Sequence, residues 1–287
     1  MDRAKILLQL DADAQPSVFD SVVAIDSGVN HLLRHGGITA ANVQPLVHGA
    51  IFTRGPDDLR RTAIFIGGSD VAAAEAVLAE VKRTFFGPMR VSVMLDPNGA
   101  NTTAAAAVLA AARHLPLKDA KVLVLGATGP VGQRAVRLLA REGAEVRVGS
   151  RQVARSQAVC DAVATKIPGA QLQAVNTAGD EQTVAALVGV QVVIAAGAAG
   201  VTLASQSVLA ACSTLKMAID LNAVPPAGLG GVEVMDRGKE RGPLLTYGAV
   251  GVGNVKMKIH KAGVQMLFEA NDRLLDAEEL FELGRGF

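Results

Sequence analysis

The sequence predicts an α/β protein of two domains built on parallel sheets, and three observations carry that reading. Short apolar runs alternate with helix-like segments along most of the chain, the pattern of buried strands joined by helical crossovers. The alternation breaks at a polar, proline-containing joint, "HLPLKDA" at 114–120, and then restarts. From about Val255 the pattern turns helical up to the C-terminus. The expected organisation is an N-terminal α/β domain of residues 1–115, a second α/β domain of residues 116–255, and C-terminal helices at 256–287 that pack back on the first domain and complete it.

In the first domain, "KILLQLDAD" reads as a strand running into an acidic loop. "PSVFDSVVAIDSG" reads as a helix with Pro16 near its first turn and Gly28 at its end, the positions where each residue is best tolerated. "TAIFIGGSD" is a strand stopped by paired glycines, "AAAEAVLAEVKRTFF" has helical spacing, and "RVSVMLDPNGANTT" is a strand turning at "DPNG". In the second domain, "KVLVLGATGPVG" is a strand and turn, "QRAVRLLAREGA" a helix ending near Gly143, and "EVRVGSR" a second strand. "SQAVCDAVATKI" is a helix, "AQLQAVN" a short strand, "QTVAALVGV" a short helix and "QVVIAAGAAG" a strand. "SQSVLAACSTL" and "KMAIDLNAVPP" add a further helix and strand, and "KMKIHKAGVQMLFEAND" and "DAEELFELGR" are the closing helices.

Composition excludes several function classes. The 287 residues are 50% hydrophobic with a formal net charge of +1, which gives ample core and no reason to expect disorder. There is no Trp and a single Tyr, and no Lys/Arg block, so the basic surface and stacking rings of a nucleic-acid binder are missing. The same balance offers nothing to an anionic membrane. The longest apolar tracts, "AAAAVLAAA" and "VVIAAGAAGV", fall short of the roughly 20 residues of a membrane span. Asp2, Asp11 and Asp13 surround a very short apolar run, unlike a signal peptide. Cys160 and Cys212 have no CxxC partner or His cluster and read as reduced, buried thiols. A soluble, cytoplasmic protein without a metal is expected.

"GATGPVG" places Gly126, Gly129 and Gly132 after the apolar run Val122 to Leu125 and before an amphipathic helix. That context allows a tight turn, a close backbone approach to a pyrophosphate, and a helix N-terminus facing the phosphates. The second domain is therefore read as a Rossmann-type dinucleotide domain. An NAD-binding member would offer Asp or Glu at the end of the next strand, to bind the ribose 2′-hydroxyl. Here "VGSRQVAR" offers Ser150, Arg151 and Arg155, groups suited to the 2′-phosphate of NADP. Thr128, Pro130 and Val131 in the turn, with Ala196 and Asn222, complete the candidate cofactor set. The bland alternative is that Arg151 and Arg155 only solvate a helix start.

Four clusters are candidates for chemistry: Asp11, Asp13 and Asp20; Asp96, Asn98, Asn101, Thr102 and Thr103; Asp220 and Asn222; and Lys256, Lys258 and His260. Each has a structural reading as turn, cap or strand-end residues, and a lone helical His is more often packed than catalytic. Tyr247 is followed by Gly248, Ala249, Val250 and Gly251, so there is no Tyr-x-x-x-Lys pair. There is likewise no metal-ligand cluster and no GxSxG elbow.

Together, "QLDADAQPSVFD", "AIFIGGSD", "DPNGANTTAAAAV", "GATGPVGQRAV", "DLNAVPPAGLGG" and "GVGNVKMKIH" resemble the NADP-dependent methylene-tetrahydromethanopterin dehydrogenases of methylotrophic bacteria, from about residue 5 to the C-terminus. Within that family the chain is more similar to the form that also accepts methylene-tetrahydrofolate. The resemblance implies a substrate (pterin) domain first, an NADP domain second, and a homo-oligomer, with a trimer as one option. It implies oxidation of the methylene unit to the methenyl form by direct hydride transfer, a step that needs no His or Tyr base. It carries the cofactor role onto Gly129, Pro130, Val131, Ser150 and Arg151. Lys256 and Asp20 become the catalytic candidates, and Asn98, Thr102, Lys256 and His260 the substrate-binding ones. A shikimate-type NADP oxidoreductase and a non-catalytic NADP sensor stand as alternatives.

Overall fold

The computed structural model describes residues 3–287 and divides into two compact units, Met1–Thr102 with Met257–Phe287, and Thr103–Lys256. The first limit falls inside the helix Ala100–Ala112, ahead of the 114–120 joint, and the second inside the helix Ala249–Met266.

The first unit comprises β1 (Ile6–Asp11), α1 (Val18–Asp26), β2 (His31–His35), α2 (Gln44–Phe52), β3 (Thr62–Gly67), α3 (Val71–Thr84), β4 (Ser92–Leu95) and the start of α4 (Ala100–Ala112). Its five-stranded sheet has the order β12-β4-β3-β1-β2, where β12 (Leu274–Leu275) comes from the C-terminal segment, and every pairing is parallel. All six residues of β3 are buried, as expected of a parallel strand covered on both faces. Leu8, Leu10, Ile64, Ile66, Val93 and Leu95 alternate along three strands and form one core with Val47 and Ile51 of α2 and Val77 and Val81 of α3. The C-terminal segment thus adds a strand as well as helices, and β12 is followed by α10 (Ala277–Gly284), whose start carries a capping box from Asp276 and Glu279.

The second unit comprises β5 (Lys121–Leu125), α5 (Pro130–Arg141), β6 (Glu145–Ser150), α6 (Val153–Lys166), β7 (Leu172–Asn176), α7 (Asp180–Leu187), β8 (Val192–Ala195), α8 (Gln206–Ala210), β9 (Met217–Asp220), β10 (Arg237–Arg241), β11 (Leu244–Tyr247) and the start of α9 (Ala249–Met266). Its sheet order is β10-β11-β9-β8-β5-β6-β7. The β10–β11 edge pair is antiparallel; the other six strands run in the 3-2-1-4-5-6 order of dinucleotide-binding sheets. Asp236 staples that edge: both its oxygens accept from Arg241, at 2.6 and 2.7 Å, and Thr246 donates to it at 2.8 Å. These bonds, the Arg241 hydrogen bonds foremost, hold its carboxyl at about 2. Tyr247 is buried and lies 2.8 Å from the His114 ring nitrogen. Cys160 is buried and Cys212 partly exposed; both are free thiols.

Helix α9 begins at Ala249, six residues earlier than the helical pattern that starts at Val255 suggests. The glycines there serve close packing: a Cβ on Gly251 would meet the Asp236 carbonyl oxygen at 1.8 Å. Among the described residues no helix is long and apolar enough to cross a membrane, and no three His, Cys, Asp or Glu side chains group as metal ligands.

Candidate functional site

In the second unit, the strand order reverses between β5 and β8, and ligands of open α/β sheets bind beyond the carboxyl ends of the strands at such a point. The glycine turn lies there. Gly126 has φ of +67°, and a Cβ on it would meet Gly197 Cα at 2.7 Å, so Gly126 is required by both conformation and the strand-end loop after Ala196. Gly132 is required by packing, since a Cβ would lie 2.6 Å from the Gly126 oxygen and 2.7 Å from Ala127 Cα.

Gly129 differs from both. It is the N-cap of α5 with φ −80° and ψ 168°, and a Cβ there would make only ordinary contacts of 3.5 and 3.6 Å. The fold does not demand this glycine. It leaves an uncapped helix end, with Pro130 at N1 and no acidic residue in the first turn. The helix dipole there favours negative charge. The carbonyl of half-buried Thr128 accepts from Gln133 Nε2 at 2.8 Å, which fixes the turn onto α5.

At the end of β6, Ser150 is buried and its hydroxyl accepts from the Gln152 amide at 3.2 Å. Arg151 and Arg155 are exposed, and neither forms an ion pair among the described residues. The chain thus presents two guanidinium groups without a protein counter-ion where NAD-type sheets carry a carboxylate. A phosphorylated ribose fits that chemistry.

Asn222 is engaged in its own loop: its Oδ1 accepts from Val224 N at 3.0 Å and its Nδ2 donates to Pro226 O at 2.7 Å. Asp220 anchors the same loop by accepting from Asn222 N and Leu229 N, both at 3.0 Å. Burial pushes the Asp220 carboxyl up, and those backbone bonds pull against it. These bonds fix the Asn222 side chain within the loop that follows β9.

The first unit has its own crevice. Its order reads 2-1-3-4-5 along the sheet, so the reversal falls between β1 and β3. Asp11 ends β1 and is fully buried, accepting from Asp13 N and Ser17 N at 3.0 Å each. Asp13 accepts from Ser69 N and Ser69 Oγ at 3.0 and 2.8 Å, tying the β1 loop to the β3 loop. Asp20 sits in the first turn of α1, its amide bonded to the N-cap Ser17 hydroxyl at 3.2 Å. A Cβ on Gly67 would meet Phe65 Cε1 at 3.1 Å and lie 3.4 Å from Asp11 Oδ2 and 3.6 Å from Asp20 Oδ2, so the two carboxylates flank this glycine. Asn98 has φ of +53°, donates its amide to Gly68 O at 2.8 Å, and is exposed at the end of β4.

Two expected substrate contacts are corrected by burial. Thr102 is fully buried and its hydroxyl donates to Asp96 Oδ2 at 2.7 Å. His260 is also fully buried, stacked on Phe65 with ring centroids 5.4 Å apart. Both stand behind the crevice surface, and Asp96, Asn101 and Phe65 join them there. The sequence flagged Asp96 and Asn101 within "DPNGANTT"; Phe65 carried no signal beyond an apolar strand position. Lys256 lies part-exposed on α9, four residues before His260.

Comparison with known proteins gives these crevices a family. Residues 18–98 match the family model "Methylene-tetrahydromethanopterin dehydrogenase, N-terminal", and residues 122–222 match the NAD dependent epimerase/dehydratase family. The chain is 44% identical over 283 residues to the bifunctional protein MdtA of Methylorubrum extorquens, covering 98% of each. It is 33% identical over 277 residues to the NAD(P)-dependent methylenetetrahydromethanopterin dehydrogenase of the same organism, covering 93% of each. The chain belongs to the methylene-tetrahydromethanopterin dehydrogenase family. Among solved structures, quinate dehydrogenase from Corynebacterium glutamicum matches over 99% of both chains with a TM-score of 0.51 at 14% identity. The 5-ketofructose reductase of Gluconobacter sp. matches with a TM-score of 0.50 at 12% identity, also over 99% of both. These two share the fold with the family.

Proposed function

We propose that this family member oxidises methylene-tetrahydromethanopterin, and with it methylene-tetrahydrofolate, to the methenyl form with NADP as the preferred nucleotide. The second unit is the cofactor domain: the turn amides of Val131 and Gly132 hold the pyrophosphate, and Ser150, Arg151 and Arg155 hold the 2′-phosphate. The nicotinamide, when bound, supplies the hydride acceptor. The first unit receives the one-carbon carrier at the β1/β3 crevice, with Asp20 and Asn98 on its surface.

The reaction leaves a cation delocalised over the two nitrogens that flank the one-carbon unit. A fixed carboxylate such as Asp20 stabilises that charge as it develops, and no proton has to be removed from a hydroxyl. The placement of the only tyrosine, buried against His114, supports a mechanism without a tyrosine base. The same reading takes the protein as a cytoplasmic homo-oligomer, which light scattering tests.

The observation that carries the cofactor assignment is the carboxylate-free end of β6 with its two exposed guanidinium groups. The test is NADPH and NADH formation followed in parallel with each of the two carriers. NADP-dependent turnover is expected with both. Turnover with neither carrier overturns the substrate assignment, and equal efficiency with NAD overturns the cofactor preference.

A further inference from the structure

His260 sits between two carboxylates that differ in kind. Its Nδ1 lies 3.9 Å from Asp96 Oδ2 and its Nε2 lies 3.9 Å from Asp20 Oδ1. Phe65 stacks on the ring at an interplanar angle of 12°, and Phe19 flanks it with centroids 6.3 Å apart. The ring plane is therefore fixed, and with it the directions of both nitrogens.

Asp96 is held rigidly. It is fully buried, and it accepts from Asn101 N at 2.9 Å, Thr102 N at 3.1 Å and the Thr102 hydroxyl at 2.7 Å. These donors sit at the N-terminus of α4, where the helix dipole favours a negative charge. Asp20 is the other kind: its side chain is 12% exposed, with Oδ1 toward the imidazole and Oδ2 toward Gly67 at the crevice.

We propose that His260 is a positioning residue, whose ring, wedged between the fixed Asp96 and Asp20, sets the orientation of Asp20. With Oδ1 3.9 Å from the imidazole, Asp20 turns Oδ2 toward the one-carbon carrier. The chain of groups follows the general pattern in which a functional side chain is oriented by a neighbour that is itself oriented by a third. His260 touches no substrate. The proposal rests on the reading of the first unit as the carrier-binding unit and of Asp20 as the group that faces the developing cation.

Amide substitutions separate this role from space-filling, because glutamine places its amide nitrogen near the Nε2 position and asparagine near Nδ1. His260→Phe, His260→Gln, His260→Asn, Asp20→Asn and the double variant Asp20→Asn/His260→Phe are compared in steady-state assays and thermal unfolding. His260→Phe is expected to lower kcat by roughly ten- to a hundredfold, the scale of losing one polar contact to a charged group, with KM for the carrier little changed. His260→Gln should recover most of kcat and His260→Asn should not. Asp20→Asn should leave little further for His260→Phe to remove. Unchanged kcat in His260→Phe, recovery by Asn instead of Gln, or fully additive losses in the double variant each overturn the proposal. If His260→Phe does not fold, the Gln and Asn variants decide alone. A wild-type enzyme inactive with both carriers overturns the functional reading and this inference together; an active wild type with wild-type-like His260 variants overturns this inference only.

Discussion

Gly129→Ala separates a glycine kept for a ligand from one kept for the fold, with Gly132→Ala as its control. At Gly132 the new methyl would lie 2.6 Å from the Gly126 oxygen and 2.7 Å from Ala127 Cα. Both are backbone atoms, so the first turn of α5 must shift by about 0.7 Å to restore contact. Overpacking of that kind costs about 1–3 kcal/mol. At Gly129 the contacts would be 3.5 and 3.6 Å, and alanine adopts φ −80°, ψ 168° without strain. Reduced unfolded-state entropy returns about 0.4–1 kcal/mol, which offsets a similar loss of N-cap preference. The Gly129→Ala protein should therefore keep its Tm, while Gly132→Ala lowers it by about 2–4 °C for each kcal/mol lost. Nucleotide binding should single out Gly129 instead. A methyl group at that position would occupy the approach of the pyrophosphate and forfeit a charge-assisted hydrogen bond, raising Kd for NADP roughly ten- to a hundredfold. Thermal unfolding and isothermal titration on the same samples read both quantities. Wild-type NADP affinity in Gly129→Ala, or a Tm loss equal to that of Gly132→Ala, refutes the reasoning.

Other expectations rest on neighbouring geometry. Arg151→Ala should raise KM for NADP far more than for NAD, and equal effects on the two would assign Arg151 to structure. Asp236 titrates at about 2 in the folded chain, below its ordinary 3.8, so its stabilisation is present above about pH 4 and lost as the pH falls toward 2; Asp236→Asn should remove that part of the acid unfolding curve. Burial, with the Arg113 charge adding, holds His114 below 6.5. The unfolded chain then takes up the proton first, so the second unit should lose stability as pH drops below about 6.5, a slope that His114→Gln should level.

The elements legible from the sequence are those whose burial leaves a mark in composition. β3 and β5 are apolar runs because both faces of a central parallel strand are covered. The elements hidden from the sequence lie at edges. β2, "HLLRH", exposes most of its residues at the end of its sheet, and β10, "RGKER", does the same, so charge conceals the strands. The start of α9 is masked because Gly248, Gly251 and Gly253 look like a loop, although Gly251 is there to admit the Asp236 carbonyl. At the candidate sites, spacing identified the glycine turn, since its geometry is set within one strand–turn–helix unit. It could not tell Asp20, at a crevice surface, from Thr102 and His260 behind it. That distinction depends on burial contributed by Phe65, Asp96 and α9, residues far apart in the chain.

The burial of Tyr247 has an optical consequence. It is the sole tyrosine in a chain without tryptophan, and its hydroxyl rests 2.8 Å from His114 within the second unit. The ultraviolet emission of the native protein therefore comes almost wholly from one ring at one address. Melting of the second unit can be followed without a label, while the first unit stays nearly dark. Against so faint a background, the fluorescence of a bound reduced nicotinamide can be recorded directly, and energy transfer from that single ring reports whether the nucleotide is in place.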